Sequence, residues 1–328
     1  MRESVLRGSD IYRYSPPWVR FTELKRMVKI IRLARPQFLL ASLALYVIGA
    51  AWANILGAAF FLPRLLLGYL ILLPAHLSVS FSNDYYDVEV DALGSPALYS
   101  GGSGILVGNP QLRKPALWIA ILLNVCSLIL GIVLYLKYSF PAWFPVYVLV
   151  SNLTGWVYSA PPLRLAYRGI GELITAFTSG FLVPGFGYLV MRGYLNGDVL
   201  FFTIPLLLYG LVFILVVEIP DMESDRLGHK KTWVVRTGRK TAFILAAALL
   251  LAATAFFFCV SYWFSEAYRL DFRLLGFLSL LPLGVGTFSL VKMPADRPAA
   301  VRLANALMAA LAIFFLLMDV LLIYTAAH

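Results

Sequence analysis

The chain has 328 residues, is 61% hydrophobic and only 13% charged, and its mean hydropathy of +0.81 excludes a water-soluble domain of this size. The formal net charge is +10, but most of the 27 Lys and Arg residues fall in the loops on the N-terminal side of the membrane. That positive-inside pattern accounts for the charge without a nucleic-acid partner. The expected class is an all-α polytopic membrane protein.

Residues 1–36 form a basic leader. Its first 20 residues are polar, so no cleavable signal peptide is expected. From Phe21 to Pro36, apolar Leu24, Met27, Val28 and Ile31 mix with Lys25, Arg26, Lys29 and Arg32, which suits an amphipathic helix on the cytoplasmic surface. Residues 37–328 form the membrane domain. Nine spans are predicted at 37–58, 62–82, 115–136, 141–159, 170–191, 199–219, 241–264, 273–292 and 300–325. Each is near the ~20 residues that a hydrocarbon core requires, some with tilt or flanking help. An odd count puts the N-terminus inside and the C-terminus outside. Cys126 and Cys259 lie in apolar runs and are expected to be small buried hydrophobes, with no disulfide framework.

The second span ends in Ser82-Asn83-Asp84-Tyr85-Tyr86-Asp87-Val88-Glu89-Val90-Asp91. Asp84, Asp87 and Asp91 fall at i, i+3 and i+7, on one face of a helix. Three like charges on one stripe repel unless a cation or a basic ligand lies between them. Hard divalent cations take carboxylate oxygens, and Mg²⁺ typically combines one or two carboxylates with substrate phosphates. The sixth span ends in Glu218-Ile219-Pro220-Asp221-Met222-Glu223-Ser224-Asp225. Asp221 and Asp225 share a face, and Glu218 sits where it can join them. Two such stripes at corresponding helix ends make a cage for two metal ions and a diphosphate. Glu89 and Glu223 point away from their stripes, toward solvent.

Each stripe opens into a long polar loop, 83–114 and 220–240, whereas the outer connections are short. This suggests two related four-helix halves and one extra helix. The first loop holds Gly94-Ser95-Pro96 and Ser100-Gly101-Gly102-Ser103-Gly104, whose backbone either approaches an anion or is simply flexible. In the second, Arg226, Lys230 and Lys231 follow the stripe closely enough for diphosphate contact. Pro161-Pro162 ends the fourth span. Asn152, Gly155 and Tyr158 share one of its faces, Tyr158 as an interfacial residue and Asn152 as an interhelical hydrogen bonder. His76, one heptad before Asn83, reads as a packing or hydrogen-bonding residue. Asp319 in the last span is a site candidate by default but lies toward the outer side.

Together these residues resemble the UbiA superfamily of intramembrane prenyltransferases. The family's Asn-Asp-x-x-Asp-x-x-x-Asp motif matches Asn83, Asp84, Asp87 and Asp91, and its Asp-x-x-x-Asp motif matches Asp221 and Asp225. Tyr158-Ser159-Ala160-Pro161-Pro162 and Arg35-Pro36 also fit. The resemblance implies a bundle of about nine transmembrane helices and Mg-dependent transfer of a prenyl group from a polyprenyl diphosphate to an aromatic acceptor. It implies Asn83, Asp84, Asp87, Asp221 and Asp225 as metal positions, with two Mg²⁺ ions bridging the diphosphate. Arg164, Arg168, Arg226, Lys230 and Lys231 become the diphosphate-binding candidates, and Asp91, Tyr158 and Arg35 the catalytic ones. Asp91 either takes the acceptor's proton or binds metal; Arg35 either meets the acceptor or anchors the topology. Many relatives carry a lysine where this chain has Ala166, so a phosphate contact there falls to Arg164 or Arg168, or is absent.

The stretch Gly101-Gly102-Ser103-Gly104-Ile105-Leu106 is more similar to the 1,4-dihydroxy-2-naphthoate branch, which serves menaquinone biosynthesis. Acceptors of other branches are 4-hydroxybenzoate, homogentisate and a glyceryl phosphate lipid precursor. The implied location is a prokaryotic cell membrane, among membrane lipids, with the site facing the cytoplasm. The competing class is a cation-coupled transporter, against which the acids all cluster at one membrane face.

Overall fold

The computed structural model describes residues 28–328 apart from 96, 101, 264–267 and 295. Residues 28–33 are helical, and the rest of the amphipathic helix expected from Phe21 lies outside the described residues. Nine long helices follow among the described residues: α1 (Pro36–Ile55), α2 (Leu62–Tyr86), α4 (Arg113–Lys137), α5 (Phe144–Ser159), α6 (Gly171–Arg192), α7 (Gly197–Glu218), α10 (Arg239–Trp263), α11 (Phe272–Lys292) and α12 (Arg297–Ala327). Short helices α3 (Val88–Asp91), α8 (Met222–Leu227) and α9 (Trp233–Thr237) lie in the two long loops, and no strand occurs among the described residues.

Eight of the nine are long and apolar enough to cross a membrane. The exception is α5, which has 16 residues and so spans about 24 Å at ~1.5 Å per residue. The full span expected at 141–159 is therefore shortened, because Pro141 precedes it and Pro161-Pro162 closes it. A π-helical turn, Thr178–Leu182, interrupts α6. Pro184 follows it; proline lacks an N–H and its ring crowds the carbonyl four residues back, and a wider turn relieves that clash.

Packing places α2 on α4 and α4 on α5, and likewise α7 on α10 and α10 on α11; α12 closes the bundle against α1 and α11. α1 meets the second half of α6 backbone to backbone. A Cβ added to Gly49 would strike the Pro184 carbonyl, and one added to Gly187 would strike the Tyr46 carbonyl. Small residues allow that approach, as is common between membrane helices. The main core lies among α1, α7, α10 and α12, where Trp52 stacks on Phe202 at 4.4 Å between ring centroids. Cys126 and Cys259 correct the sequence reading: both are exposed, on the outer face of the bundle, where lipid rather than protein takes the thiol.

The acidic stripes are not continuous helices. α2 ends at Tyr86 and breaks at Asp87 (φ −97°, ψ 4°) before α3; α7 ends at Glu218, and Asp221 (φ −98°, ψ 1°) precedes α8 in the same conformation. The matching breaks turn α3 and α8 against each other. A Cβ on Gly94 would meet Ser224 Oγ at 2.8 Å, so the first loop closes directly over the second motif.

Candidate active site

Asp84, in the last turn of α2, is 1% exposed. It forms an ion pair with Arg35 and accepts hydrogen bonds from Ser103 Oγ and, at 3.3 Å, from the Ser103 backbone N–H. The glycine-rich loop thus folds onto the first motif. A Cβ on Gly102 would overlap the Asp91 carboxylate, so only glycine lets the loop lie this close. Burial, and then the nearby Asp84 charge, pushes the pKa of Asp91 up to about 7.

Asp87 accepts from Ser159 Oγ at 2.9 Å, from the Tyr167 hydroxyl at 2.8 Å and from Lys230 Nζ at 3.1 Å. Lys230 also lies 3.4 Å from Asp225, so one ammonium bridges the two motifs. Burial alone would lower the pKa of Lys230, but Asp87 and Asp225 outweigh it and hold the group well above the ordinary lysine value. Burial raises Asp225 above the usual carboxylate range, opposed by Lys230. Burial, then Asp87, raises the Tyr167 hydroxyl. The Tyr167 ring sits between two cations, with the Arg164 guanidinium 3.9 Å and Lys230 Nζ 5.3 Å from its centroid. Lys230 and Ala166 both line the cleft.

The other sequence candidates are placed unevenly. Arg168 donates to the Pro162 carbonyl at 2.9 Å and Arg226 to the Val235 carbonyl at 3.3 Å; both are exposed, as is Lys231, and none of the three lines the cleft. Glu89 is exposed as expected. Glu223 is not merely solvated: it forms a two-pronged ion pair with Arg239, which is 5% exposed and needs a counter-charge. Four partners were not singled out from the sequence: Ser103, Ser159, Tyr167 and Glu172. Glu172 is fully buried, accepts from the Trp233 backbone N–H and faces the Glu218 carboxyl. An acid one residue inside an apolar span was the available signal.

Two cavities meet here. A polar cleft of about 60 Å³ is lined by Asn83, Asp87, Asp91, Asp221, Asp225 and Lys230. A largely apolar cavity of about 700 Å³ runs beside it, among α1, α2, α5, α6, α7 and α12. Asn83, Tyr158, Ile214 and Val217 line both, and Arg35 lines the larger one. Among the described residues no three carboxylates converge as a finished metal site. The donor set is nonetheless all oxygen at its acidic positions, and Asn83 Oδ1 is buried without a partner. That chemistry fits Mg²⁺, which keeps several waters and takes substrate phosphates rather than a complete protein cage.

Comparison with known proteins agrees with this architecture. The chain is 26% identical over 226 residues to a 1,4-dihydroxy-2-naphthoate octaprenyltransferase of Bacillus subtilis, covering 68% of this chain and 70% of that protein. It is 24% identical over 188 residues to a homogentisate phytyltransferase of Synechocystis sp., covering 55% and 56%. A UbiA homologue from Archaeoglobus fulgidus, solved with GPP and Mg²⁺, superposes with a TM-score of 0.62 at 17% identity over 89% of this chain and 99% of that one, a likeness of fold. Residues 42–311 match the UbiA prenyltransferase family, and the chain belongs to that family.

Proposed function

We propose that the protein transfers a prenyl group from a polyprenyl diphosphate to 1,4-dihydroxy-2-naphthoate, with Mg²⁺, at the cytoplasmic face of a prokaryotic cell membrane in menaquinone biosynthesis. The observation that carries the reading is the junction at Asn83 and Tyr158, where an acid-lined cleft meets a large apolar cavity. A molecule with a diphosphate at one end and an isoprenoid at the other matches those two spaces. The naphthoate acceptor is supported by the Bacillus subtilis relative and by the glycine-rich loop that closes on Asp84.

Asn83, Asp84, Asp87, Asp221 and Asp225 would hold Mg²⁺, with Asp91 at the edge of the group. Bound Mg²⁺ supplies charge neutralisation that makes the diphosphate a better leaving group. Lys230 and Arg164, the two cations flanking Tyr167, share that charge; Arg168, Arg226 and Lys231 are placed to attract the anion from outside the cleft. The bond between the prenyl carbon and the diphosphate oxygen breaks, and the acceptor ring forms the new carbon–carbon bond. Tyr158, at the junction, faces the allylic cation with its ring and helps exclude water. Asp91 takes the ring proton released as the acceptor regains aromaticity. Arg35 is released from Asp84 toward the acceptor's carboxylate. Homogentisate, 4-hydroxybenzoate or a glyceryl phosphate would use the same cleft, and the family removes the ground for a transporter.

The test is product mass spectrometry on detergent-purified protein given geranylgeranyl diphosphate, Mg²⁺ and those four acceptors. A prenylated naphthoate is expected, abolished by EDTA and by Asp84→Ala or Asp221→Ala. Transfer only to another acceptor overturns the branch, and transfer that persists in both variants overturns the metal assignment.

A further inference from the structure

The wall that α5 gives to the large cavity carries a buried amide. Asn152 is 3% exposed, and its amide group donates to Ser127 Oγ at 3.1 Å and to the Val148 carbonyl at 2.9 Å. The first ties α5 to α4 and the second returns to α5 itself; together they use both amide hydrogens and fix which atom is which. The remaining oxygen, Oδ1, is buried without a partner, and the residue lines the cavity. A carbonyl left unmet in a membrane interior is costly, and a ligand hydroxyl would satisfy it.

Helix contacts give its depth. Val79 of α2 touches α5 at Gly155, where an added Cβ would strike the Val79 side chain. Asn152 lies three residues before Gly155, and His76 lies three before Val79, each about one turn farther from the acids. The two therefore stand at one level on neighbouring helices, both lining the cavity. Ser159, which bonds Asp87, is seven residues beyond Asn152, so this level lies about 10 Å from the acids along α5. Tyr158 and Asn83 occupy the interval, where the reacting carbon of a diphosphate-anchored donor must meet its acceptor.

We propose that Asn152 and His76 form the polar subsite for the acceptor's outer hydroxyl: Asn152 Oδ1 accepts the O–H of a hydroxylated aromatic ring, and the His76 imidazole makes the second polar contact. The subsite rests on the reading that the acceptor is a phenolic ring. The isoprenoid tail has no hydrogen to donate, and it takes the opposite wall, built by Phe38, Phe213, Leu311 and Phe315. Acceptor choice and donor length are then governed by different helices.

Two probes that differ by one hydroxyl, 1-naphthol and naphthalene, test this by calorimetric binding to the detergent-purified protein. The wild type is expected to prefer naphthol by about tenfold, the net worth of one neutral hydrogen bond. Asn152→Leu abolishes the preference with naphthalene affinity unchanged, and His76→Phe reduces it by about threefold. Ser127→Ala removes only the anchor of the amide and keeps most of the preference. In turnover, Asn152→Leu raises the acceptor KM and leaves the donor KM alone, a split that a general packing defect does not produce. Equal affinity of the wild type for the two rings overturns the proposal, as does full preference retained in either the Asn152 or the His76 variant. Binding needs no transfer, so the absence of any prenylated phenol would sink the proposed function while a naphthol preference still upheld the subsite.

Discussion

The polar cleft and the apolar cavity share Asn83 and Tyr158, yet they are built in opposite ways. In the cleft, Asp84 is held by Arg35 and Ser103, and Asp87 by Ser159, Tyr167 and Lys230. The cavity offers mostly aliphatic and aromatic surface from seven helices, α4 giving only Ser127. Charges out of water need specific partners at fixed distances, whereas an isoprenoid tail needs only apolar volume. The cleft therefore has few tolerable substitutions, and the cavity is where related proteins can change substrates while keeping the chemistry.

The contrast is sharpest at Lys230. Removing one partner of a buried ion pair typically costs about 3–5 kcal/mol, and here Asp87 and Asp225 would be left facing each other. Lys230→Met is expected to lower the melting temperature in EDTA by about 5–15 °C, with Mg²⁺ restoring much of the loss. Thermal melts in detergent with and without Mg²⁺ check this; equal losses in both would show that the lysine does not balance the two motifs.

In the cavity a substitution should alter selectivity rather than stability. Ala41 lines it on α1, and Ala41→Trp fills space that a long tail would occupy. The ratio of kcat/KM for a long donor to that for a short one is expected to fall about tenfold, the equivalent of ~1.4 kcal/mol. Equal loss for both donors would place the tail elsewhere.

The smallest effect belongs at the edge of the cleft. Burial alone would raise the pKa of Glu223, but the Arg239 pair outweighs it and holds the carboxyl below the usual glutamate value. The pair therefore stabilises the fold above the ordinary glutamate pKa and is lost as pH falls through the lowered one. Glu223→Gln should lower the melting temperature at pH 7 by about 2–4 °C, roughly the 1 kcal/mol of a half-exposed pair. The difference should close as the medium is acidified below about pH 4. A difference that stays constant with pH would assign the effect to packing.

Much of the site was legible because its residues are unusual where they stand. Aspartates that end apolar runs announce themselves, and the spacing of Asp84, Asp87 and Asp91 marks one face. What the spacing did not show is that the helix breaks at Asp87, since nothing in Tyr86-Asp87-Val88 differs from ordinary helix; before Asp221, Pro220 marks the break. Of the five basic candidates for the diphosphate, Lys230 lines the cleft and Lys231 does not, although they are neighbours. Loop direction decides that, and no local pattern encodes it.

The sequence by itself determined that this is a helical membrane protein with two acidic motifs at one end, because hydrophobic span length and intramembrane charge are strong local constraints. Only the tertiary structure decided which partners those acids take. Arg35, Ser103, Tyr167 and Lys230 reach them from distant segments, and such contacts depend on how helices pack rather than on any single stretch of chain. The same holds for Asn152: its type suggested a bond between helices, but only packing revealed that its Oδ1 is left without a partner in a residue that lines the cavity.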